Sequence, residues 1–239
     1  QAGIFLVHYV CNGVRFLSQK SSMIITWLGH SCFKIQTTNA TILTDPYDNG
    51  IGIRLPKVTA DLVLVSHDHS DHSNIAGVSG TPYVASSPGE YEVRGVFAQG
   101  LSAFHDNTNG SECGATTIFR IEAEDMKLVH LGDLGQAKLT DEQFEHCNGA
   151  DILFIPVGGH YTIDAKTAVD IITQLEPRIV IPMHYKIPGL DAKKFPIDGV
   201  DTFIKHMGVA SNGHEDKLKI VKKDLPQEET KVIILKPAA

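Results

Sequence analysis

The stretch Leu62-Val63-Leu64-Val65-Ser66-His67-Asp68-His69-Ser70-Asp71-His72 decides the reading of this chain. Its first four residues are apolar without alternation, the pattern of a strand covered on both faces. The polar run that follows is dense in metal-capable side chains. His67 and His69 stand two apart just beyond a strand, so their rings can project to the same side. Asp71 and His72 lie where a turn can swing them to an adjacent position. Imidazole and carboxylate are ligands that zinc accepts, at about 2.0–2.2 Å. A lone His-x-His is a weak signal; four such groups in six residues read as a metal site.

The same arrangement recurs outward from this stretch. His105 follows the apolar run Val96–Phe104, Asp133 follows Lys127–Leu131, and His184 follows Ile179–Ile181. In layered α/β proteins, sites gather beyond the carboxyl ends of strands, where loops diverge and side chains converge. A catalytic ion needs three protein ligands and a place left open for water, and a pair of ions needs roughly six ligands with a bridging group. His67, His69, Asp71, His72, His105, Asp133 and His184 supply that number.

Further strands are expected at Met23–Leu28, Thr41–Thr44, Tyr83–Ala85, Thr116–Ile121 and Ile152–Pro156, with Leu218–Val221 and Lys231–Leu235 closing the chain. Thr140 and Gln143 form a capping-box pattern that predicts a helix through about Cys147. Asp164 precedes a clearer helix, in which Ala165, Ala168, Ile172 and Leu175 share a face and Pro177 follows the end. A third helix is expected from Asp198 or Asp201 to His206 or Met207. Pro88-Gly89-Glu90-Tyr91-Glu92 reads as a structural turn. Strands interleaved with amphipathic helices argue for an α/β layered fold.

The chain has 239 residues, 42% of them hydrophobic and 21% charged, enough to bury a sizeable core. The four cysteines are scattered without a Cys-x-x-Cys pair, which reads as reduced thiols in a cytoplasmic protein. No apolar run reaches membrane-spanning length. Residues 1–22 read as an N-terminal extension outside the domain, which is expected over 23–239 and to fold and act when started at Met23. Of the 12 histidines, His8, His130, His146, His206 and His214 read as ordinary polar residues.

Ser66-His67-Asp68-His69-Ser70-Asp71-His72 resembles the His-x-His-x-Asp-His signature of the metallo-β-lactamase superfamily. Ala103-Phe104-His105, Leu131-Gly132-Asp133 and Ile181-Pro182-Met183-His184-Tyr185 resemble its later metal motifs, in the same order. Residues 23 to about 207 look like the small branch of ascorbate-6-phosphate lactonase-like hydrolases. There Thr26-Trp27-Leu28-Gly29-His30 and Thr44-Asp45-Pro46 resemble the opening motifs, and Gly158-Gly159-His160-Tyr161-Thr162 a loop near the site. The resemblance implies an αββα four-layer sandwich with two divalent ions at one edge, zinc first and manganese, nickel or iron as alternatives. It implies His67, His69 and His105 on one ion, Asp71, His72 and His184 on the other, Asp133 bridging, and a hydroxide between the ions as nucleophile. Asp71 would also orient that hydroxide. His30 is a candidate for proton transfer; His160, Tyr161 and Tyr185 are candidates for substrate contact. True β-lactamases usually carry a cysteine ligand where this chain has Asp133, which argues against antibiotic hydrolysis.

The expected function is metal-dependent hydrolysis of a small ester, lactone or phosphoester. A nuclease or phosphodiesterase acting on RNA or DNA, and a non-catalytic metal-binding regulator, are the alternatives. Between Met23 and Tyr185, 9 Lys and Arg stand against 20 Asp and Glu, a net of −11 within a chain of formal charge −7. A nuclease needs a basic track to hold phosphates. The expected partner is therefore a small molecule, not nucleic acid or membrane, with a homo-oligomer left open.

Overall fold

The computed structural model describes residues 22–210 and 213–238. The extension expected over 1–22 thus lies outside the described residues except for Ser22. The described residues build two main sheets. Six strands form the first, in the order Leu218–Ile220, Met23–Gly29, Cys32–Gln36, Thr41–Thr44, Leu62–Leu64, Tyr83–Ala85. Seven form the second, in the order Lys231–Val232, Ile179–Met183, Ile152–Pro156, Met126–His130, Ala115–Ala123, Val96–Phe104, Gly89–Val93. The sheets meet through buried aromatics: Phe33 of the first lies 4.5 Å, ring to ring, from Phe154 of the second. This is the αββα sandwich of the metallo-β-lactamase fold.

Strands covered on both faces carry the apolar runs. Ile152–Pro156 and Ile179–Met183 are buried at every residue and pair in parallel. The helices α1 (Asp141–Cys147), α2 (Ala165–Leu175) and α3 (Val200–Met207) follow the expected signals in part. Thr140 and Gln143 close a reciprocal capping box on α1. Asp164 caps α2, which buries Ala165, Ala168, Ile171, Ile172 and Leu175. No helix among the described residues is long and apolar enough to cross a membrane.

The structure differs from the sequence reading at four places. Cys32–Gln36 is a strand between Met23–Gly29 and Thr41–Thr44, antiparallel to both, a hairpin partner that the apolar pattern did not announce. Gly89–Val93 is an edge strand rather than a turn, joined to Val96–Phe104 through Arg94 and Gly95, both at positive φ as a two-residue hairpin loop demands. Its residues are exposed or half-buried, so it lacks the apolar face that marks a strand in sequence. The third helix starts at Val200 after Gly199, with no side-chain cap. Asp198 is engaged elsewhere: its N–H donates to the Gly158 carbonyl and its carbonyl accepts from Lys186. The closing run Lys231–Leu235 also divides, Ile234–Leu235 leaving the main sheet to pair with His214–Glu215.

Strand direction brings the site together. Met23–Gly29, Thr41–Thr44 and Leu62–Leu64 all run the same way, because two antiparallel steps and one parallel step separate them. Val96–Phe104, Met126–His130 and Ile179–Met183 likewise share a direction in the second sheet. The residues just beyond these carboxyl ends are His30, Asp45, His67, His105, Asp133 and His184.

Candidate metal centre

Three overlapping groups of side chains gather at this edge: His67, His69 and His105; His67, His72 and Asp133; and His30, Asp71, His72 and His184. Within each group the candidate ligand atoms lie within 4.8 Å of one another. Asp133 stands at the middle, its Oδ2 at 3.1 Å from His184 Nε2, 3.2 Å from His72 Nε2 and 3.5 Å from His105 Nε2. His67, His72, His105, Asp133 and His184 are buried, Asp71 is half-buried, and His69 is exposed. All seven expected ligands therefore converge.

The buried rings show atoms left for a ligand. His67 Nε2 has no hydrogen-bond partner in the protein, and His72 Nε2 meets only the Asp133 and Asp71 carboxylates, at 3.2 and 3.5 Å, which are candidate ligands themselves. A buried ring nitrogen without a partner costs about 1–3 kcal/mol, and a divalent ion removes that cost. The other nitrogen of each ring explains why Nε2 is the free one. Ser66 Oγ has one proton and donates it to Asp45 Oδ2 at 2.7 Å. It must then accept from His67 Nδ1, 2.9 Å away, which leaves Nε2 as a bare lone pair. His72 Nδ1 lies 3.1 Å from the same carboxylate oxygen, which favours the proton there and frees Nε2. Asp45 also accepts from the Ser66 N–H at 2.7 Å. One buried carboxylate thus sets two ligands, a residue that the list of candidate ligands missed. The signal was the Thr44-Asp45-Pro46 motif at a strand end.

The charges are mutually dependent. Burial opposes ionisation of Asp133, but the facing His184 and His72 hold it well below the usual carboxylate range. Asp71 is held low in the same way by hydrogen bonds from His30 and His72 against the pull of burial. Burial pushes His67 down to about 3 and His30 down to about 4, assisted by neighbouring imidazoles. His72 goes the other way: burial alone would lower it, but Asp133, Asp45 and Asp71 hold it well above 6.5.

Tight backbone contacts hold the ligands in place. A Cβ on Gly158 would stand 2.3 Å from the His184 carbonyl oxygen, and one on Gly135 2.3 Å from that of His105. Only glycine lets those segments approach. His30, Asp45 and His184 all adopt left-handed backbone conformations (φ 54°, 38° and 51°), which side chains other than glycine rarely take up. Such conformations gather at functional sites.

The remaining candidates separate. His30 Nε2 meets Asp71 Oδ2 at 3.1 Å, and its ring lies 4.2 Å from that of His184. Tyr161 lines a cavity of about 350 Å³ over His69, Asp71 and His105. His160 is exposed beside Tyr161 and does not line that cavity. Tyr185 is buried against Trp27, ring centroids 4.9 Å apart, and faces the core instead. Glu112, Cys113, Lys194 and Phe195 complete the cavity wall, loop residues with no motif to announce them. Asp106 organises the first of these loops. Its carboxylate accepts from Thr108, Gly110, Glu112 and Cys113, and these bonds, Cys113 first, hold it well below its usual range. His130, read as an ordinary polar residue, is buried and structural: Nε2 donates to the Ser31 carbonyl and Nδ1 accepts from the Gly132 N–H.

Residues 24–184 match the family model of the beta-lactamase superfamily domain. The chain belongs to the beta-lactamase superfamily. Within it the chain is 33% identical to a UPF0173 protein of Pyrococcus abyssi over 70% of this chain and 85% of the relative. It is 30% identical to a UPF0173 metal-dependent hydrolase of Staphylothermus marinus over 90% of this chain and 96% of the relative. A crystal structure from the metallo-beta-lactamase superfamily, of Thermotoga maritima, superposes with a TM-score of 0.71 at 38% identity, over 89% of this chain and 98% of the other. The superfamily member described here is accordingly a metal-dependent hydrolase, with a His and Asp cluster able to hold metal.

Proposed function

We propose that this superfamily member uses two divalent ions, zinc by preference, to hydrolyse a small ester, lactone or phosphoester. The observation that carries the reading is the buried, unpartnered His67 Nε2 gathered with His72 and Asp133 into one group of ligand atoms within 4.8 Å of one another. The donor set fits: imidazole and carboxylate only, with no thiolate among the groups. His67, His69 and His105 would hold one ion and Asp71, His72 and His184 the other, with Asp133 between them. Zinc bound there would lower the pKa of a coordinated water to about 7 and would polarise a carbonyl or phosphoryl oxygen.

The protein's own groups do the rest. Asp71, half-buried and kept ionised, faces the cavity and is placed to orient the attacking water. His30 lies behind Asp71 at hydrogen-bond distance and is placed to take up a proton relayed through it. The cavity of about 350 Å³ suits a small molecule. The acidic surroundings, net −11 between Met23 and Tyr185, disfavour a polyanion.

The test is metal analysis with turnover. Protein never exposed to chelator should carry about two ions per chain and cleave p-nitrophenyl esters, simple lactones or bis-p-nitrophenyl phosphate. Chelation or Asp133→Ala should abolish turnover while far-UV circular dichroism persists. A metal content near zero, or wild-type turnover by Asp133→Ala, would sink the proposal.

A further inference from the structure

We propose that Lys194 forms an anion-binding subsite beside the metal centre, so that the substrate carries a second anionic group, carboxylate or phosphate, remote from the bond cleaved. The inference rests on the hydrolytic reading above and names the class of substrate within it. Among the described residues that line the cavity, Lys194 is the one Lys or Arg. Its Nζ donates to the Gly50 carbonyl at 2.9 Å, so the side chain crosses from the segment 191–195 to the 3-10 turn Asn49–Ile51. Next to that turn, the Asp48 N–H donates to the Ser70 carbonyl, directly before Asp71. The ammonium has three donors, and the Gly50 carbonyl takes one. Among the described residues no carboxylate pairs with it.

Lys194 is also held in position, unlike a lysine on a free loop. Its carbonyl accepts from the Tyr161 hydroxyl at 2.9 Å, and its N–H donates to the Asp191 carbonyl at 3.1 Å. Asp191 is itself tied to the Ile51 carbonyl by its N–H, and its carboxylate accepts from the Lys193 N–H. Phe195 follows, its ring edge-on to both Tyr161 and His30 at 6.2 and 5.5 Å. The wall thus offers a tethered cation beside two aromatic residues, Tyr161 and Phe195. Glu112 also lines the cavity, where it would repel a misplaced anion and so favour one orientation. A cation kept at the cavity without a carboxylate partner is best explained by a charge that arrives with the ligand.

Equilibrium binding tests this without turnover, so a failure of the hydrolytic reading is detected separately by the assay above. Calorimetry on metal-loaded protein would compare pentanoate, which has one carboxylate, with glutarate and 4-phosphonobutyrate, which add a second anionic end. A charge-assisted contact predicts that the better dianion binds about tenfold more tightly than pentanoate. That advantage should fall below about threefold in Lys194→Gln and return in Lys194→Arg. The dianion whose advantage depends more on Lys194 identifies the anion as carboxylate or phosphate. An equal advantage in wild type and Lys194→Gln, or none in wild type, overturns the proposal.

Discussion

Asp45→Asn changes two atoms' worth of chemistry and should disable two candidate metal ligands. The wild-type carboxylate accepts three bonds, from Ser66 N, Ser66 Oγ and His72 Nδ1, at 2.7, 2.7 and 3.1 Å. An amide can face this trio in two ways, and both fail. With its oxygen on Ser66 N, its NH₂ confronts Ser66 Oγ and His72 Nδ1. Ser66 must then donate toward His67, which moves the ring proton of His67 to Nε2, and His72 is inverted likewise. With its oxygen on the other pair, its NH₂ faces the Ser66 N–H, donor against donor, in a buried position. Loss of a partner that orients a ligand typically costs 10–100-fold in metal affinity, or about 1.4–2.7 kcal/mol. The unsatisfied buried group adds about 1–3 kcal/mol of destabilisation even without metal. Chelator competition monitored by a zinc indicator gives the first quantity, and urea denaturation of metal-free protein the second. Wild-type metal affinity in a folded Asp45→Asn would refute the tautomer argument.

Metal uptake should release protons at neutral pH. His72 has a folded pKa held well above 6.5, so its ring is protonated in the metal-free protein at pH 7 and must lose that proton to ligate. Affinity should therefore rise with pH up to the raised pKa; titration enthalpies that do not vary with the buffer's ionisation enthalpy would count against it. Gly158→Ala places a Cβ 2.3 Å from the His184 carbonyl oxygen, so that segment must shift. Overpacking of this kind costs about 1–3 kcal/mol, and kcat should fall with it; a variant with unchanged melting and kcat would show that the loop yields freely. Single- and double-stranded RNA and DNA should bind weakly at low salt and remain uncut. Tight, salt-sensitive binding with metal-dependent cleavage would overturn the small-molecule reading.

The candidate ligands were legible because four of them share one signal, a titratable side chain just beyond an apolar run, and His69, Asp71 and His72 follow the first of these within five residues. His67, His105, Asp133 and His184 satisfy that rule, and the structure gathers them. Lys194, Phe195, Glu112 and Cys113 follow no such rule, since loops place them by hydrogen bonds between distant segments. Tyr185 shows the limit of adjacency. It neighbours the candidate ligand His184, but the left-handed backbone at His184 and the fit against Trp27 turn its ring into the core. The same limit applies to strands. Gly89–Val93 has no buried face, and only its pairing with Val96–Phe104 makes it a strand.

Each of the three ligand groups draws from both sheets. His30, His67, His69, Asp71 and His72 leave strands of the first, whereas His105, Asp133 and His184 leave strands of the second. An ion held there acts as a rivet through two plates, and its binding energy appears as resistance to their parting at that edge. With ligand at a hundred times its dissociation constant, the linkage is worth about 2.7 kcal/mol. Stripping the metal should therefore do more than silence the chemistry. It should let the sandwich gape first at its working edge, with amide exchange rising around residues 66–72 and 131–135 before the opposite end of the strands is touched.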